Sequence, residues 1–229
     1  MQLKILSWNI WYDGYFDQIS EFLGTSGADI IGLQEVVPDD PTRDTVGYLT
    51  KLGYYHVLAP VLKIEKDGRT MSNAIFSKYP ILESETYVLS GIDSRNAVRA
   101  DVKVGETIIH VFNTHLLHTH QRPSETQDIQ ADNLVKALLP THTIVMGDFN
   151  ATPDSAAIGK IRKTMVDANS VPTPTLNVRL FDCSECDPRT IVDTQLDYIF
   201  TSKDIKTDSF TVYDAKGSDH FPISAMIEI

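Results

Sequence analysis

Asp29-Ile30-Ile31-Gly32-Leu33-Gln34-Glu35-Val36 is a nearly unbroken apolar run that ends on an amide and a carboxylate. A strand with one wet face alternates apolar and polar residues. A run without alternation reads as a strand covered on both faces, as in α/β folds. Pro38 stops it, because proline cannot donate to a strand ladder.

Working outward, residues 3–9 read as a strand and 16–26 as a helix ending near Gly27. Residues 42–52 read as a helix closed by Gly53. The middle is rich in β-type residues over 54–59, 71–77, 81–89, 97–104 and 107–114. The turn signals there are Lys66-Asp67-Gly68-Arg69 and Val104-Gly105-Glu106. A helix over 124–138 opens at Ser124, a strand covers 142–147, and a helix starts near Pro153 with Ser155 or Asp154 as its cap. Strands return at 196–201, 209–214 and 222–229, after an irregular stretch over 170–195. The pattern implies a single α/β domain over 1–229, with a mixed sheet or two stacked sheets and helices outside.

Bulk numbers narrow the function. The 229 residues are 42% hydrophobic and 22% charged, the profile of a globular protein with a sizeable core. No apolar run reaches the roughly 18 residues that span a bilayer, and Met1 leads directly into the first strand. A cytoplasmic protein without stable membrane association is expected. The net charge is −11, from 31 acidic and 20 basic residues, which argues against a tight nonspecific grip on duplex DNA. Cys183 and Cys186 form a C-x2-C pair without an obvious second ligand pair for zinc, and read as free thiols in a loop. Nothing points to an obligate protein partner.

The chemistry-bearing residues recur in one place, immediately after an apolar strand. Asn9 follows Leu6-Ser7-Trp8, Glu35 ends the run quoted first, and His115 ends Val111-Phe112-Asn113-Thr114. Asp148 and Asn150 follow Ile144-Val145-Met146-Gly147. Asp197 opens the strand at 196–201, and Asp219-His220 precedes the last strand. Ligand sites in α/β sheets form beyond strand ends. Each motif alone fits a turn or a satisfied rim residue; five independent turns would not carry this set. His118 and His120 share the loop after His115 and read as solvent-facing.

The set suits metal-assisted hydrolysis of a phosphate ester. Magnesium needs only one or two carboxylates, which Glu35 can supply with Asn9 or Asp219. Water needs a base, and Asp148 is a candidate. His220 and His115 can stabilise charge on the attacked phosphate. Asp197 can hold His220 in one tautomer and favour its charged form.

In this order, Trp8-Asn9, Gln34-Glu35, Asn113-Thr114-His115-Leu116, Gly147-Asp148-Phe149-Asn150, Leu196-Asp197-Tyr198-Ile199-Phe200 and Ser218-Asp219-His220 resemble the endonuclease/exonuclease/phosphatase superfamily across nearly the whole chain. The resemblance implies a four-layer α/β sandwich of two mixed sheets flanked by helices, the deoxyribonuclease-I-like fold. It implies Glu35 as the principal Mg2+ ligand (Mn2+ as a substitute) with Asn9 beside it, and Asp219 as a second-site or water-mediated ligand. It further implies Asp148 as the residue that orients or deprotonates water, Asn150 as its helper, and His220 paired with Asp197 on the phosphate. His115 matches a histidine of phosphodiesterase members, and Arg95 resembles an arginine aimed at the phosphate, whereas Arg99 lies within a strand. Trp11, where abasic-site endonucleases carry an acid, and His115, where they carry tyrosine, weaken an abasic-repair reading. The pattern is closer to 5′-tyrosyl-DNA phosphodiesterase-like, deoxyribonuclease-like and sphingomyelinase-like branches.

The expectation is therefore a metal-dependent phosphodiesterase acting on nucleic-acid strands or ends, DNA or RNA. A phospholipid or small soluble phosphate ester is the alternative, with Val61–Lys66 as a weak membrane-facing loop. A non-catalytic binding module is the remaining one.

Overall fold

The computed structural model describes residues 1–12, 14–63, 68–91, 93–177 and 194–229. Cys183, Cys186 and Ile64, Glu65 and Lys66 of the loop above lie outside them, as do Lys66 and Asp67 of the first turn signal.

The strand that carries the opening run, β2 (Ile30–Val36), is buried almost throughout. It lies between β1 (Gln2–Asn9), parallel to it, and β4 (Thr70–Ser77), antiparallel. With β3 (Tyr55–Lys63), β11 (Lys206–Val212) and β12 (Ile223–Glu228) they form a six-stranded sheet ordered β11-β12-β1-β2-β4-β3. The second sheet contains β5 (Ile81–Val88), β6 (Asn96–Val104), β7 (Thr107–His115), β8 (Thr143–Asp148), β9 (Val166–Asp167) and β10 (Asp197–Thr201). Its order is β5-β6-β7-β8-β10-β9. Each sheet has one parallel pair, β1/β2 and β7/β8, and is antiparallel elsewhere.

The helices are α1 (Phe16–Thr25), α2 (Thr45–Lys51), α3 (Glu125–Ala137) and α4 (Ala156–Arg162). Three begin at side-chain caps that the sequence offers: Asp44 accepts from Gly47 N, Ser124 from Gln127 N and Ser155 from Ile158 N, satisfying donors left open by the first turn. Tyr15 precedes α1 without a side-chain cap. The helix expected over 42–52 begins at Thr45, because Asp40 and Asp44 hold the preceding turns.

Alternation along the strands sorts side chains into layers. Leu3, Ile5, Ile30, Val111, Ile144, Met146 and Ile199 pack between the sheets. Leu6, Trp8, Ile31 and Leu33 pack under α1 and α2 with Ile19, Leu23 and Leu49. Phe112, Val145, Tyr198 and Phe200 pack under α3 and α4 with Leu134 and Ile158. The result is the expected four-layer α/β sandwich. Gly32 belongs to the close approach of the sheets, since a Cβ there would sit 2.7 Å from the Met146 methyl.

A buried amide pair ties the sheets together near the strand ends. Gln34 Nε2 donates to Asn113 Oδ1 at 2.6 Å. Asn113 Nδ2 donates to the carbonyls of Leu33 and Ala74, both at 2.8 Å. Such bonds keep buried amides satisfied and fix the separation of β2 from β7.

Candidate active site

The two parallel pairs determine where function gathers. In a parallel pair both strands end on the same side, and each sheet turns that side the same way. Asn9 is opposite Gln34 in the first sheet and His115 opposite Asp148 in the second. The antiparallel neighbours bring their opposite termini to this edge: Asp197 starts β10 directly opposite Asp148, and His220 lies just before β12. Residues far apart in the chain thus converge.

Backbone irregularities aim two of the carboxylates. The β2/β4 register slips between Leu33 and Val36, and Glu35 within the slip has φ +60°. A bulge re-aims a side chain, and the left-handed backbone of a non-glycine residue costs about 1–3 kcal/mol. Gly147, with φ +149°, precedes Asp148; a Cβ there would meet the Thr114 carbonyl at 2.0 Å, so only glycine lets β8 run this close to β7.

Asp148 is the centre. It is 1% exposed. Its Oδ1 accepts from Asn150 N at 2.8 Å. Its Oδ2 accepts from Asn9 Nδ2 at 3.0 Å and Asn150 Nδ2 at 3.3 Å. His115 Nε2 and His220 Nε2 lie 3.4 and 3.6 Å from the same oxygen. Asn9 Nδ2 also donates to Glu35 Oε1 at 3.0 Å, and Tyr12 N donates to Glu35 Oε2 at 3.1 Å. Asn9 therefore clamps one carboxylate from each sheet, while its Oδ1 accepts from Trp11 N. Direct coordination of an ion by Asn9 Oδ1 would require turning this amide.

Behind His220, Nδ1 meets Asp197 Oδ2 at 2.8 Å. Backbone bonds hold the histidine: its carbonyl accepts from Trp8 Nε1 at 2.9 Å and its N–H donates to Ser218 Oγ at 3.1 Å. Ser218 Oγ in turn donates to the Asn9 carbonyl at 2.6 Å. Asp197 N and Leu196 N both donate to Thr175 Oγ1.

These residues face a cleft of about 150 Å³ lined by Asn9, Glu35, Arg95, His115, Asp148, Asn150, Asp219 and His220. Asp197 sits outside it, behind His220. Arg95 leans on the His115 carbonyl at 3.5 Å. Arg99 lies away from the cleft, with Glu85 and Asp101. His118 departs from expectation: it is half-buried, lines the cleft and pairs through Nδ1 with Asn150 Oδ1 at 2.9 Å. His120, also half-buried, packs edge-on against it. The turn at Leu117–Gln121 folds back over the strand end; a histidine without strand context gave no signal of that. Leu176 and Leu196, which complete the walls, were equally silent as ordinary apolar residues.

Crowding shapes the protonation of the site. Burial, then the charge of Asp219, pushes the Glu35 carboxyl up. Burial likewise raises Asp148 and Asp219. Burial works against a charged His220, but the Asp197 and Asp148 carboxylates win and hold it well above its ordinary value. Burial, helped by Arg95, drives His115 well below. One histidine is charged and the other neutral, and both can donate to a bound anion.

The buried Asp148 carboxylate and the half-buried Glu35 and Asp219 make a hard oxygen donor set of the kind that suits a hard divalent cation. Among the described residues, one group of three has ligand atoms all within 4.8 Å: Asp148, Asp197 and His220. The 2.8 Å contact within that group is also the geometry of a histidine held by its carboxylate.

A model of the endonuclease/exonuclease/phosphatase family matches residues 6–220, and no curated protein matches. Among solved structures, the human Nocturnin catalytic domain with bound sulfate is 19% identical with a TM-score of 0.75, covering 99% of this chain and 93% of that one. D. rerio TDP2 complexed with single-strand DNA product is 19% identical with a TM-score of 0.73, covering 100% and 99%. A Bacteroides thetaiotaomicron mannosyl-6-phosphatase is 18% identical with a TM-score of 0.70, covering 99% and 100%. At these identities the likeness is one of fold. The family model spans both sheets and every strand end that carries a site residue: the chain belongs to the endonuclease/exonuclease/phosphatase family and is a hydrolase of phosphoester bonds.

Proposed function

We propose that the chain is a divalent-metal-dependent phosphodiesterase that hydrolyses phosphate esters at nucleic-acid ends or strands. The observation that carries this reading is the clamp on Asp148. The carboxylate is buried, both oxygens are fixed by Asn9 and Asn150, and two histidines stand within 3.6 Å. A base so placed can orient a water for in-line attack.

Glu35 would hold the ion, with Asn9 positioning its carboxylate and Asp219 facing the same cleft. A divalent ion held there would supply positive charge to the phosphate as negative charge develops. The chain's own residues do the rest. Asp148 takes the proton as the water oxygen bonds to phosphorus and the bond to the leaving oxygen breaks. Charged His220 and neutral His115 donate to the non-bridging oxygens, where donors stabilise developing charge. Arg95 adds a cation on the same side. Asp197 keeps His220 oriented and charged, and Asn150 keeps Asp148 in place.

The fold hosts both a protein solved with a DNA product and one named a phosphatase of a sugar phosphate, so fold does not choose the substrate. A small soluble ester is the second reading, favoured by the narrow cleft and by the acidic balance of the chain. Among the described residues no helix is long and apolar enough to cross a membrane; a cytoplasmic setting without an obligate protein partner belongs to this reading. The test is turnover with and without Mg2+ on single- and double-stranded DNA, RNA, a 5′-tyrosyl end, sphingomyelin and a nitrophenyl diester. Metal-dependent release from at least one nucleic acid is expected; turnover confined to sphingomyelin would move the substrate to lipid.

A further inference from the structure

Two histidines at the catalytic cleft take no part in the hydrolysis proposed above. His118 lines the cleft. His120 stands against it, with ring centroids 4.5 Å apart and planes at 89°. Their hydrogen bonds have one possible direction.

Asn150 sets that direction. Its Nδ2 faces the Leu116 carbonyl at 3.2 Å and Asp148 Oδ2 at 3.3 Å. A carbonyl can only accept, so the amide nitrogen belongs on that side and the amide oxygen on the other. Asn150 Oδ1 faces His118 Nδ1 at 2.9 Å, so that ring nitrogen carries a proton. Burial disfavours the doubly protonated ring, which leaves His118 Nε2 bare. It lies 3.2 Å from His120 Nδ1, which must donate in turn. The chain runs from His120 to His118 to Asn150 to Asp148, with every donor directed toward the buried carboxylate. Bonds aligned in this way polarise one another.

The fold holds the histidine turn from two sides. Gln127 and Gln130 are buried polar residues of α3. Gln130 Oε1 accepts from Leu117 N at 2.9 Å. Gln127 Nε2 donates to the carbonyls of Leu117 and Asn150, both at 2.9 Å, so one amide ties the turn to the backbone of Asn150. His120 and Gln121 have left-handed backbone, with φ +50° and +57°. That conformation costs a non-glycine residue about 1–3 kcal/mol and clusters at functional sites.

We propose that His118 and His120 form a donor relay that positions Asn150, and through it Asp148, for the attack of water. Among the described residues His118 is the partner of Asn150 Oδ1. Without it the amide is free to turn and take Nδ2 away from Asp148. The kinetic consequence rests on the phosphoester reading above; the relay itself rests on the bonding.

Two measurements test it. Long-range nitrogen–proton NMR on the full chain, in mildly alkaline buffer, reads the tautomer of each ring, with His118→Gln and His120→Gln assigning the signals. Both rings are expected to carry the proton on Nδ1. An Nε2–H tautomer at either ring overturns the relay. The other measurement is steady-state hydrolysis of bis-(p-nitrophenyl) phosphate with Mg2+. His118→Leu is expected to lower kcat about ten- to a hundredfold with KM unchanged, the mark of an interaction that matters in the transition state. His118→Gln, which restores an N–H, should recover part of the loss. In an Asn150→Ala background His118→Leu is expected to cost nothing more, because residues that act through one another are not additive. An equal loss in that background, or a rise in KM alone, means that His118 acts on the substrate directly and overturns the proposal. If wild type hydrolyses no diester with Mg2+, the phosphoester reading falls, while the tautomers still decide the relay.

Discussion

His220 Nδ1 lies 2.8 Å from Asp197 Oδ2, although 23 residues separate them in sequence. Asp197 is fully buried, and its other oxygen has no partner among the described residues. The imidazole is thus the side chain that answers this carboxylate. The charged histidine is favoured in the fold, so its contribution to stability is fully present below the unfolded value near 6.5 and fades as pH rises through the raised folded value. Asp197→Asn should therefore lower the melting temperature most at pH 6, with a gap from wild type that closes in alkali. Thermal melts from pH 6 to 10 check this; a gap independent of pH would break the link.

Glu35 has the opposite balance. Burial raises its pKa first, then Asp219, so the favourable protonated form is lost as pH rises past its ordinary carboxylate range. Above that raised value the ionised group disfavours the metal-free fold. Glu35→Gln should raise the metal-free melting temperature, by about 2–4 °C for each 1 kcal/mol relieved in a chain of this size. The same variant should lose the rise that Mg2+ gives wild type through binding to the native state. Calorimetry with and without Mg2+ decides; a variant that melts lower and still responds to the ion would contradict the assignment.

His115 is neutral because burial and Arg95 disfavour its charge. It acts as a donor and not as a cation. His115→Ala should cost about 10²–10³ in kcat, the usual loss for one donor to a developing oxyanion. His115→Gln, which keeps an N–H, should recover part of it. Equal losses in the two variants would mean that the ring does something other than donate.

Asn113 spends its whole amide on joining the sheets. Asn113→Ala leaves Gln34 Nε2 only its longer contacts to Ser7 Oγ and the Gly32 carbonyl and takes a donor from the Leu33 and Ala74 carbonyls, and should destabilise by about 1–3 kcal/mol. Urea denaturation measures it. A change within error would show that water replaces the amide.

The fold was legible because its signals are redundant. The Ile30–Leu33 run, the caps at Ser124 and Ser155 and the β-type residues of β6 and β7 each mark their own element. Placement of the site followed from strand ends, a property of topology that the order of motifs carries. What stayed hidden depends on contacts across the chain. The bulge that turns Glu35, the bond from His118 to Asn150 and the two-residue β9 arise from register and packing. His118 looks in sequence like any loop histidine.

Activation of water by Asp148 beside a bound divalent ion is the step on which the proposed function depends. It is tested most directly by the steady-state hydrolysis of bis-(p-nitrophenyl) phosphate by wild type and Asp148→Asn, each with Mg2+ and with a chelator. Turnover is expected in wild type with Mg2+, with a fall of about 10³ or more in the variant and in chelator. Turnover that persists in Asp148→Asn and ignores the chelator would contradict it.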